Sequence, residues 1–339
     1  VNVGLLGLGS WGTALAAHLG RGGHRVSAWT LEAEDRVAIA RDRENRRLLP
    51  GLALPDLVRV VETPAAAVAG ADVTVMAVPS FAVRVVAREL VAVLPPGPVV
   101  NVAKGLEVGT EKLPLQVLAE ELGPERATVS LVGPSHAEEV ALGYPTAVVA
   151  ASRDRVAAEF TQALFSSERL RVYTNDDTLG VELAVALKNV IAIAAGISAG
   201  LGFGDNTLGA LVTRGLAEMT RMGVALGARP ETFFGLAGVG DMVTTSVSRH
   251  SRNRHVGEAV GRGERLDDVL AAMTMVAEGV PTTRAAKALA RRTGVEAPIV
   301  DRVHAVLFEG EDPREAIRAL MTREPKSEAS AARADEGGA

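Results

Sequence analysis

Of the 36 basic residues in this 339-residue chain only five are lysines, at 104, 112, 188, 287 and 326, and the rest are arginines. Two of the five stand where an amine could do chemistry. Lys188 lies in the apolar stretch 181–199, and its helical neighbours three and four places away are Ala184, Val185, Ile191 and Ala192. An ammonium on such a face is desolvated, and burial lowers the pKa of lysine toward neutrality. That suits a group that passes protons, a task closed to arginine, which does not deprotonate in proteins. The plain alternative is a buried lysine paired with a carboxylate, or one that snorkels to the surface. Lys104 follows the apolar run 99–103 and precedes Gly105. If that run is a parallel strand, Lys104 sits at its carboxyl end, where ligands collect in α/β sheets; otherwise it is a surface loop lysine.

Gly7-Leu8-Gly9-Ser10-Trp11-Gly12 fits G-x-G-x-x-G, and it lies between an expected strand, 3–6, and an expected helix, 13–20, with a second strand at 25–29. In that context Gly7 makes the tight turn, Gly9 lets backbone approach a pyrophosphate, and Gly12 allows close packing of helix on strand. The helix start offers free N–H groups and partial positive charge to the phosphates. After the second strand come Glu32 and Arg36, then Asn45-Arg46-Arg47. An acid there favours NAD and an arginine NADP; Arg36 reads more simply as a solvated helix charge, so the choice between NAD and NADP stays open.

Three further clusters carry polar chemistry. Gly133-Pro134-Ser135-His136 follows a strand and offers N–H groups and a hydroxyl, or else a simple N-cap; His136, beside two glutamates, reads as structural. Ser251-Arg252-Asn253-Arg254 combines guanidinium forks with hydrogen-bonding side chains that match phosphate oxygens, or else a solvated helix start. Asp241 follows the flexible Gly238-Val239-Gly240 and could be an N-cap.

The elements that must position these residues change character along the chain. Runs at 3–6, 25–29, 58–61, 72–78, 99–103, 128–132, 146–150 and 171–173 read as strands, with helices such as 13–20, 82–94, 113–122 and 155–165 between many of them. Alternation of this kind predicts an α/β domain of Rossmann type with a mostly parallel sheet over 1–176. Helical periodicity then dominates, predicting an all-helical domain over 177–322 and a disordered tail over 323–339.

Composition narrows the chemistry. The absence of cysteine excludes disulfides, zinc-thiolate sites, iron–sulfur clusters and a cysteine nucleophile. The six histidines lack ligand spacing, and no metal is expected. A net charge of −5 and 3% aromatics argue against a nucleic-acid partner. The opening residues lack a basic n-region, and the apolar stretch 181–201 carries Glu182, Lys188 and Asn189. Neither a signal peptide nor a membrane span is expected, and the cytoplasm is the default location.

Taken in order, the motifs resemble the bacterial NAD(P)-dependent sn-glycerol-3-phosphate dehydrogenase family. The matching stretches are GLGSWGTALA (7–16), VPS (78–80), AKGLE (103–107), GPSHAEEV (133–140), LKNVIAI (187–193), TRGLAEM (213–219), Gly238–Asp241, SRNR (251–254) and VAEG (276–279). The resemblance implies hydride transfer between dihydroxyacetone phosphate and glycerol 3-phosphate, with NAD or NADP as cofactor, in the service of phospholipid synthesis. It implies that Ser10 and Trp11 line the dinucleotide and that Ala137, Val276 and Glu278 approach it. Lys104, Gly133 and Ser135 would touch substrate, Lys104 also lying near the cofactor. Lys188 would be the proton acceptor. Asp241, Ser251, Arg252 and Asn253 would bind glycerol 3-phosphate, Arg252 bridging to the cofactor. Sister dehydrogenases of β-hydroxyacids or 6-phosphogluconate, and a non-catalytic NAD(P) sensor, are the competing readings. The apolar helices of the second half could also carry a homodimer interface.

Overall fold

A computed structural model of the chain describes residues 1–325, 327 and 328. Most of the expected tail, 323–339, lies outside the described residues. The chain divides into two compact units, one of Val1–Lys104 with Pro114–Thr178, the other of Gly105–Leu113 with Leu179 onward. The short segment 105–113 thus leaves the first unit for the second, and the chain returns at Pro114.

The first unit alternates strands and helices: β1 (Asn2–Leu6), α1 (Ser10–Arg21), β2 (Arg25–Trp29), α2 (Ala33–Asp42), β3 (Val58–Val60), α3 (Pro64–Val68), β4 (Val73–Met76), α4 (Val83–Leu90), β5 (Val99–Asn101), α5 (Pro114–Leu122), β6 (Thr128–Val132), α6 (Ala137–Ala141), β7 (Thr146–Ala151), α7 (Arg155–Phe165) and β8 (Leu170–Asn175). They build one eight-stranded sheet in the order β3-β2-β1-β4-β5-β6-β7-β8. Every pairing is parallel except β6 with β7. Val3, Leu5, Val73 and Val75 face one apolar cluster with Leu15 and Leu19 of α1 and Phe165 of α7; Leu6 and Met76 face another with Val83 and Leu90 of α4 and Leu118 of α5. Both faces are covered over the central strands β1, β4, β5 and β6, which are buried almost throughout, whereas the edge strand β8 alternates buried and exposed residues.

The expected strand 99–103 stops early for a local reason. The Asn101 side chain donates to the Ala103 carbonyl at 3.0 Å and accepts its N–H at 3.3 Å, curling the chain out of the ladder just before Lys104. The expected helix 82–94 is likewise shorter: a 3₁₀ turn at Ser80–Ala82 leads into α4, which ends at Leu90.

The second unit is helical: α8 (Thr178–Gly200), α9 (Asp205–Ala225), α10 (Pro230–Phe233), a π turn (Leu236–Gly240), α11 (Asp241–Val247), α12 (Arg252–Gly261), α13 (Leu266–Ala272), α14 (Gly279–Thr293), α15 (Pro298–His304), a second π turn (Ala305–Glu309) and α16 (Pro313–Met321). Its centre is α8. That helix is long and apolar enough to cross a membrane by composition, but 83% of the relevant window is buried inside the fold. Glycines let α12 press against it. A Cβ at Gly196 would collide with the Arg254 carbonyl, one at Gly200 with the Glu258 carbonyl, one at Gly257 with the Ile193 carbonyl, and one at Gly261 would meet the Ile197 carbonyl at 2.5 Å. The two helices touch backbone to backbone because all four positions lack a side chain.

Glu218 of α9 is buried, and its two carboxylate oxygens accept the N–H groups of Ile299 and Val300, each at 2.9 Å, at the start of α15. Burial pushes its carboxyl up to about 7 despite those two N–H groups, which pull the other way.

Candidate active site

In the first unit the glycine-rich turn links β1 to α1. Gly7 has φ 109°, and a Cβ there would stand 2.6 Å from the Ala77 carbonyl oxygen. A Cβ at Gly12 would collide with the Gly7 carbonyl. Gly9, by contrast, has nothing within 4 Å of where a Cβ would be. The close approaches are therefore internal at Gly7 and Gly12, while Gly9 opens outward. Gly9 is also the N-cap of α1 and offers no side-chain cap, so the helix start presents backbone N–H groups at Ser10 and Trp11. This cradle fits a pyrophosphate.

Past β2, Arg36 is not a solvated charge. Its side chain is 14% exposed and lies 3.6 Å from Glu62, and its Nη1 donates to the carbonyls of Thr30 and Leu31, each at 2.7 Å. The guanidinium thus ties down the turn that follows β2. Glu32 is exposed at the N-cap of α2. Arg47 pairs with Asp35.

The carboxyl ends of β5 and β6 bring together three of the expected residues. Lys104 Nζ donates to the Gly133 carbonyl at 2.8 Å, and the Ser135 hydroxyl donates to the same oxygen at 3.1 Å. Gly133 has φ 149°, an angle that favours glycine, and this sets its carbonyl to receive both donors. Ser135 is not an N-cap: His136 holds that place at the start of α6 without a side-chain capping bond, and buried Ala137 follows.

In the second unit Lys188 is 4% exposed, and it does not snorkel. Its Nζ lies 2.6 Å from Thr245 Oγ1 and 3.1 Å from Asp241 Oδ1. Asp241 is the first residue of α11 rather than its cap, and it is buried. The stretch before it, expected to be a flexible loop, is a π turn packed so closely that a Cβ at Gly238 would collide with the Phe233 carbonyl. Thr245 completes the cluster. Its hydroxyl donates to the Asp241 backbone carbonyl at 2.6 Å, an atom that can only accept. The hydroxyl's lone pairs are thereby turned toward the amine. Sequence reasoning passed over Thr245, although its spacing of four from Asp241 places both on one helix face.

Ser251 is the buried N-cap of α12, accepting the Arg254 N–H at 3.1 Å, so this is not a solvated helix start. Arg252 is exposed at the first helical position. Asn253 is buried between three helices: its Nδ2 donates to Asn189 Oδ1 of α8 at 2.9 Å, and its Oδ1 accepts the Gly279 N–H of α14 at 2.8 Å. The same amide thus secures the segment that carries half-exposed Val276 and Glu278, the latter at the N-cap of α14. Asn189 was also passed over, although it adjoins Lys188.

Comparison with known proteins shows what the whole chain is similar to. Residues 2–158 match the family model for the NAD-dependent glycerol-3-phosphate dehydrogenase N-terminus, and 177–318 match that for its C-terminus. A glycerol-3-phosphate dehydrogenase [NAD(P)+] of Chlorobium limicola is 51% identical, covering 97% of this chain and 99% of that protein. One from Geobacillus thermodenitrificans is 48% identical, covering 96% of each. The crystal structure of glycerol-3-phosphate dehydrogenase from Coxiella burnetii superposes with a TM-score of 0.92 at 37% identity, covering 95% of this chain and 99% of that one.

Proposed function

We propose how the residues of this chain divide the work of one reaction, since the chain belongs to the NAD-dependent glycerol-3-phosphate dehydrogenase family. It is an oxidoreductase that interconverts dihydroxyacetone phosphate and sn-glycerol 3-phosphate with NAD or NADP. The bound nicotinamide supplies or takes the hydride. The chain handles the proton and holds the substrate.

The observation that carries the assignment is the buried cluster of Lys188, Asp241 and Thr245. In the reducing direction the Lys188 ammonium donates the proton that turns the carbonyl oxygen into a hydroxyl. In the oxidising direction the neutral amine takes it back. Asp241 stabilises the charged amine against its desolvation, and Thr245 fixes its direction. Acid–base help of this kind is worth about 10²–10⁴-fold in rate. Asp241 serves the substrate through that amine as well as through its own carboxylate. Ser251, Arg252 and Asn253 provide donors for the substrate's phosphate, the guanidinium fork of Arg252 matching its oxygens and reaching toward the cofactor. Lys104, Gly133 and Ser135 form a second polar group for substrate, with Lys104 also serving the cofactor. Gly9, Ser10 and Trp11 face the pyrophosphate on a turn that Gly7 and Gly12 shape for it; Ala137, Val276 and Glu278 line the cofactor.

Glycerol 3-phosphate made in this way suits phospholipid synthesis, with the enzyme acting in the cytoplasm as a homodimer. Steady-state reduction of dihydroxyacetone phosphate with NADH and with NADPH, side by side, tests substrate and cofactor together. Turnover of 6-phosphogluconate without turnover of dihydroxyacetone phosphate would overturn the assignment.

A further inference from the structure

We infer that Asn45 is a positioning residue for the dinucleotide, fixing the Leu8–Gly9 peptide so that the Gly9 N–H faces the pyrophosphate; this rests on the glycine-rich turn being the phosphate cradle. Asn45 lies beyond α2, more than thirty residues from the turn in sequence, yet it is 2% exposed and aimed into it. Its Nδ2 donates to the Leu8 carbonyl at 2.7 Å and to Thr13 Oγ1 at 2.9 Å. Its Oδ1 accepts the Leu48 N–H at 3.1 Å. These contacts use both amide hydrogens and the oxygen, and they allow only one orientation of the amide, because the Leu48 N–H can only donate and the Leu8 carbonyl can only accept. Thr13 Oγ1 donates to the same Leu8 carbonyl at 3.3 Å, so that oxygen is held from two sides.

The consequence follows from peptide geometry. The Leu8–Gly9 bond is trans and planar, so the Gly9 N–H points opposite to the Leu8 C=O. With the carbonyl anchored inward on Asn45, the N–H is directed outward, on the residue that opens into empty space. Gly9, on the N–H side of this peptide, would otherwise let it rotate with little steric resistance. Asn45 is itself held in place. The Arg43 guanidinium donates to the carbonyls of Val58 at 2.8 Å and Pro55 at 2.5 Å, and the Asn45 carbonyl accepts the Leu49 N–H at 2.9 Å.

The test is calorimetric binding of ADP-ribose and of NADH to wild type, Asn45→Ala and Asn45→Asp. ADP-ribose carries the pyrophosphate without the nicotinamide, so it isolates this half of the site from the choice of substrate. The expected result is binding of both ligands weakened about 10-fold in Asn45→Ala, as for loss of one hydrogen bond to a buried group. Asn45→Asp should bind more weakly still, since a carboxylate oxygen would oppose the Leu8 carbonyl. At saturating NADH the KM for dihydroxyacetone phosphate should stay within 2-fold of wild type. ADP-ribose affinity unchanged in a folded Asn45→Ala overturns the inference, even if its melting temperature falls. In wild type, independently of whether the variants fold, selective ¹⁵N-glycine labelling should show the Gly9 amide shifted and protected from exchange by ADP-ribose. A Gly9 amide indifferent to ADP-ribose overturns it too. Wild type that binds ADP-ribose but fails to reduce dihydroxyacetone phosphate would instead count against the assigned reaction.

Discussion

A lysine that moves protons must be charged in one half of the cycle and neutral in the other, and its partners decide how sharply it is aimed. Lys188 has a carboxylate and a hydroxyl within hydrogen-bond reach in a buried setting, and the hydroxyl is oriented by the Asp241 carbonyl. Lys188→Ala should therefore keep dinucleotide affinity near that of wild type and lose at least about 100-fold in kcat. Undiminished turnover in that variant would refute the assigned role. Thr245→Val removes the acceptor while keeping the shape, whereas Thr245→Ser keeps the oxygen. The first should lower kcat by about 10-fold, as for loss of one hydrogen bond to a charged group, and the second should recover most of it. Equal kcat in the two variants would mean that the hydroxyl has no part in aiming the amine. The lysine was legible in the sequence because its helical neighbours are all apolar. The threonine was not, because a Thr within a helix is ordinary until its i−4 partner is known to be an acid at work.

At the scale of elements, the α8–α12 crossing brings Lys188 and Asn189 into one framework with Ser251–Asn253. Four glycines make that approach possible, so Gly257→Ala should cost about 1–3 kcal/mol through the collision with the Ile193 carbonyl. Urea unfolding of variant and wild type checks it; a loss below a few tenths of a kcal/mol would show that the helices separate without strain. The α9–α15 junction carries a pH dependence. Burial pushes the Glu218 carboxyl up to about 7, from an ordinary 4.5 in the unfolded chain. Between those values the folded state keeps a proton that the unfolded chain releases, so this group's contribution to stability is full below about 4.5 and falls as pH rises to about 7. The span corresponds to on the order of 3 kcal/mol. Stability of wild type should decline across that window relative to Glu218→Gln; parallel pH profiles would refute it. Sequence patterning found the long, one-faced or all-apolar elements, such as α7 and α8. It placed a helix around Arg36 but set no bounds for α2, whose single buried residue, Ile39, gives no periodicity to read.

At the scale of the molecule, the central strands were readable because a sheet covered on both faces demands unbroken apolar runs, and the edge strand β8 because its residues alternate. The sheet's one antiparallel pairing, β6 with β7, was not, since direction leaves no mark on composition. The excursion at Gly105–Leu113 was equally hidden, because nine residues without a long apolar face look like a loop. That excursion bears on how such proteins can be recombined. The two family models meet between residues 158 and 177, which invites a chimera made by one crossover there. A single crossover would transplant the helical unit without the piece of it that is encoded inside the sheet-bearing half. Glu111, on that piece, pairs with Arg292 of α14 at 3.1 Å, and such a contact is inherited only if both sides come from one parent. Chimeras with a relative should therefore melt lower when 105–113 and the helical half have different parents than when that segment is exchanged along with it. Modularity in this molecule is a property of its three-dimensional partition, and a genetic cut that respects it needs three joints rather than one.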